Sequence, residues 1–131
     1  MRRDIIFKGE LYAYVIDVDL INDTFSFFSE NELSLQLGYM EKKKGDIIQP
    51  HLHLRQKREI YDTQEIIYLR KGDLTINFYD DSMFLFHNER INKECFIHLI
   101  KGGHGFEIHE NSFIFEVKQG PYLENSDKIK F

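Results

Sequence analysis

Short segments in which apolar and polar residues alternate are the feature that most constrains the fold of this chain. Between Leu74 and Tyr79, every second residue is large and apolar. Successive side chains of a β-strand point to opposite faces, so this pattern predicts a half-buried strand. Turn-forming residues separate it from further candidate strands at residues 11–19, 35–40, 47–54, 65–69, 83–87 and 96–100. A turn is predicted at Asn22 and Asp23.

Seven to ten short strands with very little helix predict an all-β fold, either a sandwich or a closed barrel. A chain of 131 residues is the size of a single domain, which we expect to span residues 1–131. Hydrophobic residues make up 42% of it and include twelve Phe and seven Tyr, enough for a core without disulfides.

The charge and the single cysteine exclude several functional classes. A net charge of −5 argues against a general nucleic-acid-binding protein. No segment approaches the length of a membrane span, and the N-terminal residues lack the apolar stretch of a signal peptide. Cys95 has no partner for a disulfide within the chain, which fits a reducing, cytoplasmic location. We interpret Cys95 as a small buried residue and not as a nucleophile.

Two histidines and a carboxylate mark the candidate functional site. His51 and His53 stand two residues apart in a strand-like segment, so their side chains are expected on the same face. Glu65 begins the next apolar segment, and His104 follows two glycines much later in the chain. Three imidazoles and a carboxylate are a plausible ligand set for a divalent transition metal such as Fe, Mn, Ni, Co, Cu or Zn.

A final hairpin is predicted around a turn at residues 110–112, and its periodicity places His104 inside the fold. The residues predicted to face the core are His104, Phe106, Ile108, Phe113, Phe115, Val117 and Gln119. The residues predicted on the outer face are Glu107, Glu116 and Lys118, and an ion pair between Glu116 and Lys118 is expected there.

The histidine-containing segment resembles the first motif of the cupin superfamily, here residues 45–72. That motif has a glycine, a His-x-His pair, a glutamate and a second glycine. Gly45, His51, His53, Glu65 and Gly72 match its spacings except one. The eleven residues between His53 and Glu65 form a much longer spacer than is usual in cupins.

The second cupin motif is similar to the region of about residues 97–108. Gly102 and His104 match its glycine and histidine, whereas its proline is missing and its later asparagine is replaced by Ile108. The chain looks most like small stand-alone cupins associated with surface-polysaccharide biosynthesis. The segments that carry this narrower resemblance are residues 36–40, 63–65, 102–107 and 117–122.

The resemblance implies a single jelly-roll β-barrel with a metal near its mouth. Carried over residue by residue, the metal ligands would be His51, His53, Glu65 and His104. Glu59 is the alternative carboxylate ligand. Glu65 is favoured because it keeps the motif's six-residue step to Gly72 and leads a row of inward-facing residues.

Further residues are candidates for ligand binding or for support of the metal ligands. Arg58 would either clamp a carboxylate or phosphate, or be a solvated loop residue. Gln64 and Gln119 are expected near Glu65 and His104 respectively. Tyr68 and Lys118 are further candidates, with packing and surface ion pairing as the alternatives. The remaining histidines, for which we expect surface or interface positions, are His87, His98 and His109.

Three functions remain open from the sequence, including whether the protein is an enzyme. The first is a metal-dependent enzyme acting on a small polar metabolite, such as a sugar or nucleotide sugar. The second is a metal-free nucleotide-sugar isomerase or epimerase that uses His51 and His53 as acid–base groups. The third is a non-catalytic cupin that binds a sugar or a metal. Apolar residues on the second face of several strands favour a homodimer.

Overall fold

The computed structural model describes residues 2–22 and 25–131 of the chain. These residues form ten strands and a short 3₁₀-helix, Val18–Leu20, and no α-helix lies among them. The prediction of an all-β fold is therefore confirmed. The strands are β1 (Arg2–Phe7), β2 (Glu10–Asp17), β3 (Phe25–Phe27), β4 (Gly38–Met40), β5 (Glu65–Lys71), β6 (Leu74–Tyr79), β7 (Leu85–Ile91), β8 (Cys95–Leu99), β9 (Gly103–Ile108) and β10 (Phe113–Lys118). The turn predicted at Asn22 and Asp23 lies partly outside the described residues.

The strands form three antiparallel sheets. The largest has five strands in the order β1-β2-β8-β5-β10, the second has the order β7-β6-β9, and β3 pairs with β4. The alternation predicted between Leu74 and Tyr79 is confirmed in β6, where Leu74, Ile76 and Phe78 are buried. The predicted strand at 83–87 begins and ends later, because a turn at Asp80 precedes β7.

The core lies between the five-stranded and three-stranded sheets. Ile67 and Leu69 of β5 pack there against Leu74, Ile76 and other residues of the second sheet. Burial of large aliphatic side chains is the main force that holds such sheets together, at about 1.5–3 kcal/mol for each fully buried side chain. Cys95 lies in this core and is fully buried, as predicted.

Two chain segments cross between the sheets side by side at one end of the molecule. Gly72 and Asp73 connect β5 to β6, and residues 109–112 connect β9 to β10. The backbone N–H of His109 donates to the Asp73 carbonyl over 2.9 Å, and the Asp73 N–H donates to Ser112 Oγ over 3.3 Å. The guanidinium of Arg90 holds the Asp73 carboxylate through two hydrogen bonds of 2.9 and 2.7 Å.

The predicted final hairpin is wrong, because β9 and β10 belong to different sheets. β9 pairs with β6 and β10 pairs with β5. Residues of β10 that lie in register with the inward residues of β5 therefore face the pocket side, and Glu116 and Lys118 are among them. The predicted core residues Phe113, Phe115 and Val117 are exposed instead. Phe115 stacks on Tyr68 at the outer face of the sheet.

The sheets do not close into a barrel, and the predicted strand at residues 47–54 is absent. Residues 41–63 form a segment without regular secondary structure in which every residue is exposed. We call this segment the exposed arm. Within the described residues, β9 and β10 are edge strands of their sheets. None of the helical structure in the described part of the chain is long and apolar enough to cross a membrane.

A second apolar cluster covers part of the outer face of the five-stranded sheet. Tyr14 and Ile16 of β2 pack there against Phe28 and Ile100, under the segment that carries β3 and β4. Apolar residues therefore occupy this second face of β2. The layer that covers it comes from the same chain.

Candidate functional site

A pocket of about 680 Å³ opens between the edges of the two large sheets. Residues from β5, β9 and β10 line it, together with the C-terminal segment. The charged and aromatic residues of its wall are Glu65, Tyr79, Lys101, His104, Phe106, Glu116, Asp127, Lys128, Lys130 and Phe131. The wall therefore combines apolar and aromatic surface with charged groups of both signs.

Glu65 and His104 contact each other in this pocket. Glu65 Oε2 lies 3.1 Å from His104 Nε2, and the side chains are 15% and 29% exposed. The hydrogen bond from His104 lowers the pKa of Glu65, and nearby lysines contribute in the same direction. Glu65 is therefore ionised at neutral pH and accepts hydrogen bonds or binds cations. Two of the four predicted ligands thus meet although they lie far apart in the sequence.

The sheet fixes the position of Glu65. Glu65 is the first residue of β5 and lies between Leu99 of β8 and Lys118 of β10 in the strand register. It shares its face of β5 with the buried residues Ile67 and Leu69. The predicted inward orientation of this side chain is therefore correct.

His104 lies on β9 opposite Phe78, and its ring contacts Phe106 edge-on at 5.7 Å. Gly102 lies directly before β9 and has a φ of +74°, which residues with a Cβ rarely adopt. A Cβ at Gly102 would lie only 2.4 Å from the carbonyl oxygen of Tyr79. Gly102, two residues before His104, is thus required for the chain to pass the Tyr79 carbonyl.

The C-terminal segment closes one side of the pocket. Lys118 Nζ binds Asp127 Oδ2 at 3.0 Å and so ties this segment to β10. The Phe131 ring packs edge-on against Tyr79 at 5.0 Å. On another side, Lys101 Nζ lies 3.1 Å from Glu10 Oε1. Each ion pair thus joins one residue of the pocket wall, Asp127 or Lys101, to a residue outside it.

His51 and His53 lie in the exposed arm. Their rings contact each other at 5.3 Å, and His51 Nδ1 lies 2.8 Å from the Gln49 carbonyl oxygen. The structure therefore forms two pairs, His51 with His53 and Glu65 with His104. Within the described residues, no group of three or more His, Cys, Asp or Glu side chains is close enough to hold a metal ion.

Gln64 and Gln119 belong to a chain of hydrogen bonds that runs from the buried His98 to the surface at Ser34. The Gln64 amide oxygen lies 2.9 Å from His98 Nε2, and the Tyr14 hydroxyl lies 2.8 Å from His98 Nδ1. Gln119 Oε1 accepts from the Gln64 backbone N–H at 2.9 Å, and its Nε2 donates to Ser34. Gln64 therefore turns away from Glu65, and Gln119 joins the start of β5 to the end of β10.

The prediction of a surface or interface position for His98 is wrong, because His98 is buried in the fold. Its side chain is 0% exposed. Burial lowers the pKa of His98 to about 4, with a smaller effect of Arg2 in the same direction and of Glu30 in the opposite one. Burial likewise raises the pKa of Tyr14 to about 12. The neutral imidazole donates from Nε2 to Gln64 and accepts at Nδ1 from Tyr14.

The remaining candidates lie in three different places. Arg58 is exposed in the arm, as is Glu59, which forms an ion pair of 3.2 Å with Lys57. Tyr68 lies on the outer face of β5, stacks on Phe96 at 4.8 Å and donates to Glu94. Lys118 lies beside the pocket, in register with Glu65.

Several pocket residues were not predicted from the sequence as candidates. Glu116 was expected on the outer face. Lys101, Tyr79 and Phe131 are not among the residues that match a motif. Pairing β10 with β5 instead of β9 would have placed Glu116 beside Glu65 from the alternation alone. The positions of Lys101 and Phe131 depend on tertiary packing, and no local signal marks them.

Comparison with protein-family models gave no match for this chain. Comparisons with curated proteins and with solved structures gave no significant match either.

Proposed function

We propose that the pocket binds a small polar metabolite, such as a sugar or a nucleotide sugar, and that the chain is a metal-binding cupin that acts on it as an enzyme. The observation that carries this proposal is the contact between Glu65 and His104, 3.1 Å apart inside a pocket of about 680 Å³. An ionised carboxylate beside an imidazole in a concave site is a typical catalytic or metal-binding arrangement.

The pocket wall favours a ligand with hydroxyl groups and negative charge. The carboxylates of Glu65, Glu116 and Asp127 accept hydrogen bonds from hydroxyl groups. The ammonium groups of Lys128 and Lys130 supply positive charge for a phosphate or carboxylate. Aromatic rings in the wall supply flat apolar surface for a sugar or a base. A sugar phosphate or a nucleotide sugar combines all three of these properties.

The contact between Glu65 and His104 fits two ligands of one transition metal ion. Donor atoms that are each about 2.1 Å from an ion lie roughly 3.0–3.4 Å apart, and the observed separation is 3.1 Å. A bound metal would polarise a carbonyl or hydroxyl oxygen of the substrate. In a single chain, the described residues bring together two of the four proposed ligands. We therefore assign to the protein itself only substrate binding and proton transfer by Glu65 and His104.

The strand order supports a jelly-roll architecture for this proposed cupin. β5 and β6 are consecutive strands that lie in different sheets, and so are β9 and β10. Such crossings between two facing sheets are characteristic of jelly rolls. A strand at residues 47–54 would add to one of the edges beside the pocket and close that side.

A metal-free isomerase or epimerase is the second candidate, and the same contact favours it. Glu65 and His104 are within hydrogen-bond distance, so Glu65 can orient the imidazole for acid–base catalysis without an intervening cation. In this mechanism, the imidazoles would exchange protons with a carbon or hydroxyl group of the sugar while Glu65 orients His104. Imidazole titrates in the range that such proton transfers require at neutral pH.

Elemental analysis of protein purified without a nickel column separates the two candidates. We expect about one equivalent of a transition metal in the wild type and a strong loss in Glu65→Gln and His104→Ala, because each variant lacks a ligand. His109→Ala is the matched control, since His109 lies on the surface and contacts Thr75. Trace metal that is unchanged in both ligand variants would contradict metal binding and favour the second candidate.

A panel of sugar phosphates and nucleotide sugars tests whether the protein is an enzyme. We expect one class of ligand to bind, and its conversion to be lost in His104→Ala. Binding without product across the panel would instead support a non-catalytic sugar-binding protein. A homodimer and a cytoplasmic location remain part of the proposal, the latter because the one cysteine is buried and unpaired.

A further inference from the structure

The exposed arm carries large apolar residues among many charged ones, yet it has the exposure of a solvated loop. Ile47, Leu52 and Tyr61 are 84%, 85% and 91% exposed, and Leu54 is 74% exposed. Large apolar side chains grouped on one segment normally mark a surface that another chain covers. The arm would therefore be stabilised by a partner surface that covers these apolar side chains.

The arm makes its polar contacts within itself. Lys43 and Asp46 bond to each other, His51 bonds to the Gln49 carbonyl oxygen, and Lys57 pairs with Glu59. The described hydrogen bonds and ion pairs of residues 41–63 do not reach the two large sheets. The backbone joins the arm to its own domain at β4 and β5.

The domain in turn lacks a strand where the pocket opens. β9 and β10 end their sheets within the described residues, and both border the pocket. Edge strands present unpaired N–H and C=O groups that readily accept another strand. Ile108 on β9 is also 53% exposed and leaves apolar surface on this edge strand. The missing strand and the exposed arm are complementary in hydrogen bonding and in apolar surface.

We propose that two copies of this chain exchange their arms. Residues 47–54 of one copy add as a strand beside β9 of the other copy, and His51 and His53 then face its Glu65 and His104. This inference rests on the proposed function for the role of the assembled site, but the exchange itself is a separate claim about the dimer. Exchange of an identical element between two chains is a low-cost route to a dimer.

Strand geometry supports β9 as the acceptor edge. Side chains on one face of adjacent strands have Cβ atoms about 5 Å apart when they are directly opposite. His104 on β9 would then lie within reach of one imidazole of the arm, and the second imidazole lies two residues further along the same face. The arm itself already holds the two rings 5.3 Å apart. Exchange would bring together the four side chains that a single chain leaves in two pairs.

Cross-linking between two distinguishable chains tests the exchange directly. One chain carries His53→Cys and the other carries His104→Cys with a tag of different mass, and both are expressed together. The native Cys95 is buried and does not interfere. A short bis-maleimide should give a product that contains both chains. A control pair, His53→Cys with Asn88→Cys on the opposite edge strand β7, should give at least tenfold less of this product.

The solution mass provides a second, independent measurement. We expect twice the 15.7 kDa of one chain by light scattering, and monomers in Leu52→Asp but not in the arm control Lys57→Glu. A monomeric wild type would overturn the proposal. It would also be overturned if the chain carrying both His53→Cys and His104→Cys cross-linked only within itself. If the mixed product forms but metal and sugar do not bind, the exchange stands and the proposed function fails.

Discussion

The buried histidine of β8 makes the stability of the fold depend on pH in a way that one substitution can isolate. His98 is held neutral between Tyr14 and Gln64, and burial lowers its pKa to about 4. In the unfolded chain, a histidine titrates near pH 6.5. Between these two values the unfolded state binds a proton that the folded state does not. The contribution of neutral His98 to the free energy of unfolding is therefore fully present above about pH 6.5 and is lost as the pH decreases toward 4.

The expected magnitude follows from the two pKa values. A difference of about 2.5 pH units at about 1.36 kcal/mol each gives at most about 3 kcal/mol. Integrated between about pH 7 and pH 4.5, the loss from His98 alone is about 2 kcal/mol. This is a large fraction of the stability of a domain this size.

Urea unfolding of the wild type and of His98→Gln measures this contribution. Glutamine keeps an amide N–H for Gln64 and an oxygen for Tyr14 but does not titrate. The variant should be less stable at neutral pH, because its shape differs, yet lose about 2 kcal/mol less than the wild type between about pH 7 and pH 4.5. Far-UV circular dichroism is a suitable probe, since the chain has no tryptophan. Acidic groups such as Glu65 titrate in both proteins, so only His98 can cause a difference between the two losses of stability. Equal losses in the two proteins would therefore refute the reasoning.

Three further substitutions test other parts of the structure. Tyr14→Phe should cost about 1–3 kcal/mol in urea unfolding, because it leaves buried His98 Nδ1 without its donor, and a neutral result would contradict the hydrogen bond. Gly102→Ala should cost about 3 kcal/mol, since its Cβ meets the Tyr79 carbonyl, whereas Gly9→Ala, at a similar φ but in open space, should cost about 1 kcal/mol; equal costs would argue against the close approach. Cys95, whose pKa burial raises to about 12, should react with a thiol reagent at least a hundredfold faster in urea than in the native protein, and fast native labelling would place it at the surface.

The alternation of apolar residues was sufficient to predict an all-β domain and the interior of its central strands. Leu74, Ile76 and Phe78 of β6 lie in the core as predicted, and so do Ile67 and Leu69 of β5. Alternation is a local property of a strand, so a single sequence reveals it. The same reasoning placed Glu65 on the inner face, and the contact with His104 followed once the two sheets came together.

The strand partners could not be predicted from the sequence. The segment after His104 has the alternation of a hairpin, but β9 and β10 pair with strands of different sheets. That choice decided which face of β10 is buried, and it brought Glu116 to the pocket while Phe115 stayed exposed. Pairing depends on competition among edges that are distant in sequence, and periodicity does not carry that information.

Burial of polar residues was also decided by the tertiary structure. His98 is a polar residue in a strand, and its sequence does not show that it is buried. In the interior, Tyr14 and Gln64 supply hydrogen-bond partners for both of its ring nitrogens. The sequence by itself determined the all-β class, the alternation of the central strands and the types of side chain available for a site. The fold alone determined which of them meet, because burying a polar group is favourable only where distant segments supply its hydrogen-bond partners.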